Sequence, residues 1–160
     1  MKKVLIYILL AATVLCFAAC NNNNPPEETK TYTFTNGTTK IAINADAAPI
    51  LAALGQWRDY AESASCAFEG LDKVYTYAGF EIQTYPMGEQ DFVYMIILQD
   101  DTVATEKGIR IGATKDAVIA AYGTPDQETA TALTYNGEGM YLQFILRDGA
   151  VTSIQYCKKN

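Results

Sequence analysis

Apolar residues recur at every second position in MYLQFILR, residues 140–147, where Met140, Leu142, Phe144 and Leu146 make one unbroken set. That period of two predicts a strand with one buried face. YTYAGFEIQTY from Tyr75 and YNGEGMYLQFI from Tyr135 share the pattern at an offset of 60, aligning Tyr75 with Tyr135, Gly79 with Gly139, Ile82 with Leu142 and Gln83 with Gln143. VYMIIL from Val93 falls on VTSIQY from Val151 at an offset of 58. The period changes in two places. Residues 41–55 and 109–123, offset by 68, each carry a capping side chain, Asp46 or Thr114, then apolar residues four apart, Ile50 and Leu54 or Val118 and Tyr122, then Gly55 or Gly123. These spacings predict two short helices that begin on a side-chain cap and stop on a left-handed glycine.

The elements recur in one order, so the pattern predicts an α+β domain over residues 31–160. It consists of two tandem repeats, about 41–100 and 108–156, each a short helix plus an antiparallel β-meander, with the helices on one side of the sheet. The stretch RDYAESASCAFEGLDK is an insertion in the first repeat, and TYTFTNGTTK, with an "NG" turn, predicts an added edge hairpin. The glycines around the second helix serve its turns. No GxxxxGK[ST] spacing marks a phosphate loop.

The GIRIGATKDAVIAAYGTP helix, the Tyr-Gly hairpin and the closing VTSIQY strand resemble the tandem repeats of the β-lactamase-inhibitor-protein-like fold and of the bacterial lipoproteins that share it. They are similar, more distantly, to the small lipoprotein of the β-barrel assembly machinery. The resemblance covers about residues 41–156 and implies helices on one side, sheet on the other, and a concave sheet surface. It implies little about function, because members of that fold bind different things.

The first twenty residues change the picture of where the domain resides. Lys2 and Lys3 precede an apolar run that ends in Phe17-Ala18-Ala19-Cys20. This is the layout of an export signal, too short to span a membrane, and its end resembles the bacterial lipobox. That resemblance implies a signal peptide over 1–19, a diacylated Cys20 and a protein lipid-anchored outside the cytoplasm. Cleavage near Ala19 in an ordinary secreted protein is the alternative. The NNNNPPEETK segment after Cys20 has little apolar surface to bury, so residues 20–30 read as a disordered tether.

Past residue 19 there remain ten Lys and Arg against 18 Asp and Glu, a net charge of −8. Nucleic-acid binding needs the opposite sign. No polybasic patch supports a second membrane contact, so the lipid is the expected one. Cys66 and Cys157 are left as a pair in an oxidising compartment, where a disulfide or two separate buried thiols both fit.

The chain contains no histidine, which removes the commonest general base and metal ligand and every Ser-His or Cys-His nucleophile. Glu62, Glu69 and Asp72 read as solvated loop acids, and Asp100-Asp101 as a turn without the calcium-loop spacing. No enzyme, cofactor or metal is expected. The expected function is a membrane-anchored binding module for a protein, peptide or glycan. A structural or assembly lipoprotein of the envelope is the alternative and an enzyme a distant third. Its recognition surface follows from the strand alternation. With Leu142, Ile82, Ile96 and Ile154 turned to the core, Glu81, Gln83, Tyr85, Met95, Ile97, Tyr141, Gln143, Ile145, Ser153 and Gln155 face outward. Tyr85 and Tyr141 are the expected anchors, and Gln83, Gln143 and Gln155 the expected hydrogen-bonding groups.

Overall fold

A computed structural model describes residues 30–159. The signal, Cys20 and most of the tether lie outside the described residues. The described chain is mostly β, with an antiparallel sheet and two helices. Its elements run β1 (Thr33–Asn36), β2 (Thr39–Ala42), α1 (Ala47–Leu54), β3 (Asp59–Ala64), β4 (Leu71–Thr76), β5 (Phe80–Met87) and β6 (Gln90–Leu98). After these come α2 (Lys115–Tyr122), β7 (Gln127–Glu128), β8 (Ala132–Gly137), β9 (Met140–Arg147) and β10 (Ala150–Lys158).

Each helix is eight residues long, too short to persist without tertiary packing. Its ends are fixed locally. The Asp46 carboxylate accepts from the Ala48 amide at 3.0 Å and the Thr114 hydroxyl from the Ala117 amide at 3.2 Å. Gly55 and Gly123 close the helices with φ of 76° and 82°, donating to the carbonyls of Leu51 and Ile119. The residues leading into each helix also pair with a strand. Asn44 donates to the Val93 carbonyl and Val93 back to Ala45; Gly112 donates to the Val151 carbonyl and Val151 back to Ala113. The four bonds measure 2.8–2.9 Å.

Eight strands form one sheet in the order β3-β4-β5-β6-β10-β9-β8-β7, so the centre of the sheet is the junction of β6 with β10. Directly opposed residues share a face. Two inward rows cross the sheet. One is Tyr75, Ile82, Ile96, Tyr156, Leu142 and Tyr135; the other is Phe80, Leu98, Ile154, Phe144 and Leu133. All eleven are buried, and they form one cluster with Ala47 and Ile50 of α1 and Val118 of α2. Two β-bulges break the alternation. Gln83 opposes Met95 while Thr84 opposes Val93, leaving Tyr94 as the extra residue on β6. Ile145 opposes Ser153 while Leu146 opposes Val151, leaving Thr152 extra on β10.

The first hairpin departs from its expected place. β1 and β2 form a separate two-stranded sheet, not an added edge of the large one. Phe34 and Ile41 are direct cross-strand partners, so both project from the same face of the hairpin, and both are wholly buried in the core. The Phe34 ring meets Phe80 edge-on at 5.0 Å and lies 6.3 Å from Tyr156. Burial of two large apolar side chains is worth about 1.5–3 kcal/mol each.

Candidate functional site

The second face of the large sheet is built from the positions between the inward rows. One row runs Thr76, Glu81, Ile97, Gln155, Gln143, Thr134 and Gln127 from β4 to β7. A second runs Val74, Gln83, Met95, Cys157, Tyr141 and Asn136, and a third joins Ser153, Ile145 and Ala132. Glu81, Gln83, Met95, Ile97, Tyr141, Gln143, Ile145, Ser153 and Gln155 are all half-exposed and lie together in these rows. Neighbours engage the glutamines. Gln83 donates to Glu81 at 2.7 Å, Gln143 to the Thr134 hydroxyl at 2.9 Å, and Gln155 to the Ser153 hydroxyl at 3.3 Å. These bonds hold the polar groups in fixed positions between Met95, Ile97 and Ile145.

Tyr85 requires a correction. It occupies the same face, opposite Phe92, but is only 6% exposed. The segment Ser65–Phe68, between β3 and β4, lies against it, with the Phe68 ring 5.1 Å away. The Tyr85 hydroxyl donates to the Asn44 side chain at 3.3 Å, and the Lys158 ammonium lies 5.4 Å over its ring. Tyr85 is therefore part of a packed aromatic group and is not an anchor free to meet a partner.

Tyr94 is the residue that strand alternation misses. Strict alternation turns it toward the core, but the bulge places it beside Gln83 and Tyr85, with its ring edge-on to Tyr85 at 6.4 Å. Nothing in the sequence around Tyr94 marks a bulge. Together Ser65, Cys66, Phe68, Asp72, Tyr94 and Lys158 border a cleft of about 310 Å³, floored by Gln83 and Tyr85.

Cys66 and Cys157 are both free thiols, so the bridge considered from sequence is not formed. Cys66 is exposed on the loop rimming the cleft. Cys157 is buried in the sheet, directly opposite Met95 on one side and Tyr141 on the other. Burial pushes the Cys157 thiol up, partly offset by its hydrogen bond to Tyr141. The Tyr141 hydroxyl is pushed up to about 12, first by burial and then by that bond. Near pH 8 an alkylating reagent should therefore modify Cys66 in the folded chain and reach Cys157 only on unfolding. Mass spectrometry before and after denaturation, without reductant, checks this; finding neither thiol modified after unfolding would mean a bridge.

The acidic residues do not converge. Glu62 opposes Lys73 and Ser63 opposes Asp72, so Glu62 and Asp72 project from opposite faces of the β3–β4 ladder. Asp100 accepts from the Thr102 amide at 2.8 Å and so folds its own turn. No three His, Cys, Asp or Glu side chains gather among the described residues. Gly112, at φ 87°, lies in the turn that pairs with Val151. No family of known proteins, no curated protein and no solved structure matches this chain.

Proposed function

We propose that this chain is a lipid-anchored extracytoplasmic binding module that meets a protein partner through the second face of its sheet. The observation that carries the reading is the composition of that face. Met95, Ile97, Ile145 and Tyr141 sit half-exposed in continuous cross-strand rows at the centre of an eight-stranded sheet. Tyr and Met are enriched where protein surfaces meet, whereas a face designed for water favours Lys and Glu. A broad sheet face suits a protein surface better than a small solute, for which enclosure is the rule.

The same proposal takes the domain as two repeats, with the helices on one side and the recognition face on the other. Three correspondences support it. The capped helices are offset by 68 residues, and so are the Asn44–Ala45 and Gly112–Ala113 segments that pair with a strand. Their partners Val93 and Val151 are offset by 58. The two bulges, at Tyr94 and Thr152, are offset by 58 as well. A bulge re-aims one side chain at little cost to the sheet, so repeating it in both halves sets the face in the same way twice.

Anchoring rests on the signal and Cys20. Radiolabelled fatty acid should enter the wild-type chain and not Cys20→Ser, and equal labelling of the two would remove the anchor from the proposal. The binding face is tested with the full chain in detergent, used to capture its partner from the native envelope. Tyr141→Ala with Ile145→Ala should weaken capture by about 2 kcal/mol or more if both are hot spots, with little change in thermal midpoint. Lys40→Ala, exposed on β2, is the control. Undiminished capture by the double variant contradicts the proposal.

A further inference from the structure

We propose that the cleft under the Ser65–Phe68 segment takes a primary alkylammonium group, the end of a lysine side chain on the protein partner. The inference rests on the reading of this face as the recognition surface and names the chemistry of one subsite on it. Three aromatic rings frame the cleft. Phe68 is 42% exposed and lies 5.1 Å from Tyr85, which Tyr94 meets edge-on. Aromatic faces attract cations through their quadrupole.

The chain already places a cation there. The Lys158 ammonium lies over Tyr85, and among the described residues the ion pairs are Lys73–Asp91 and Lys115–Glu128, so no carboxylate draws Lys158 to that position. Lys158 is the last residue of β10 and is only half-buried. Asp72 supplies the second requirement. Its Oδ1 is buried and has no hydrogen-bond partner, which is costly for a carboxylate oxygen unless a donor arrives. Asp72 lines the same cleft, so a primary ammonium there brings N–H donors to its carboxylate and positive charge to the rings. A quaternary ammonium, as on a choline headgroup, brings the charge alone. The net charge of −8 beyond residue 19 favours the approach of any cation.

The test uses the 15N-labelled full chain in detergent, titrated with Nα-acetyl-lysine methylamide, with choline, and with the uncharged norleucine analogue. Amide shifts at Ala67, Gln83 and Tyr85 should saturate with the lysine probe at millimolar concentration and respond at least several-fold more weakly to the other two. Asp72→Asn should weaken the lysine probe about tenfold. Lys158→Met, which keeps the apolar stem and removes the internal cation, should tighten it several-fold. Tyr141→Ala with Ile145→Ala lies outside the cleft, so it should lose the partner yet keep the lysine probe; this separates failure of the subsite from failure of the face. Four results would overturn the proposal: no saturable shift in wild type and Lys158→Met, choline binding as well as lysine, norleucine binding as well as lysine, or an unchanged response in Asp72→Asn.

Discussion

Phe34→Ala should lower the free energy of unfolding by about 3–5 kcal/mol, the range for removing a fully buried phenylalanine. Thr35→Ala, exposed on the same strand, should change it by less than about 0.5 kcal/mol. The contrast follows from the position of the first hairpin. Phe34 has no exposed surface and touches Phe80 and Tyr156, residues of strands at the middle of the large sheet. Its loss would open a cavity that those rigid strands cannot close. Urea unfolding of the two variants is the measurement. A cost below about 1 kcal/mol for Phe34→Ala would mean that the hairpin is peripheral, as an added edge strand would be.

The second large effect is alkaline. Burial raises the hydroxyl of Tyr135 to about 12 and that of Tyr156 further, and Tyr141 is held at about 12 by burial and its bond to Cys157. Tyr32, Tyr75, Tyr77 and Tyr122 are raised as well, each chiefly by burial. The unfolded chain releases these protons near pH 10, while the folded chain retains them. Above pH 10 the folded state therefore binds more protons, and stability must fall as pH rises. It is fully present below pH 10 and declines from about pH 10 through pH 12 and beyond, by an amount on the order of several kcal/mol. Lys73, raised first by its hydrogen bond to Asp91, acts in the same direction. Tyr156→Phe separates this cause from general alkaline damage. The Tyr156 hydroxyl is buried without a partner, so its removal should leave stability at pH 7 unchanged or higher and make the alkaline decline shallower. Thermal midpoints at pH 7, 10 and 11.5 for both chains decide it. An equal decline in the variant would contradict the assignment of Tyr156.

Both helices were legible in the sequence because their signals are local. Asp46 and Thr114 cap, Gly55 and Gly123 stop, and the apolar residues between them are four apart. The inward rows were legible because the alternation in β5 and β9 is long enough to define a face. Where the sequence reading failed, the deciding contact was distant. Phe34 and Ile41 alternate as they would in any half-buried strand, and nothing nearby says which surface will cover them. The bulge at Tyr94 depends on how β6 pairs with β5, and alternation within one strand does not contain that information. Alternation gives Tyr85 its face but not its cover, because that cover, Phe68, comes from a polar stretch with no periodicity of its own. Strand β3 lies in that same stretch; all six of its residues are exposed, so it carries no hydrophobic signature.

The proposed partner sits on the sheet face of Met95, Ile97, Tyr141, Gln143 and Ile145. A photo-activated crosslinking residue placed at Gln143 in the full-length chain, irradiated in intact cells, tests it most directly. Gln143 is half-exposed between Gln155 and Thr134 in its row, and a matched probe at Lys40 reports on the hairpin side. A discrete crosslinked species should form from position 143, be absent from position 40, and disappear when Tyr141→Ala and Ile145→Ala are added. Crosslinks from position 40 with none from position 143 would rule out a partner on this face.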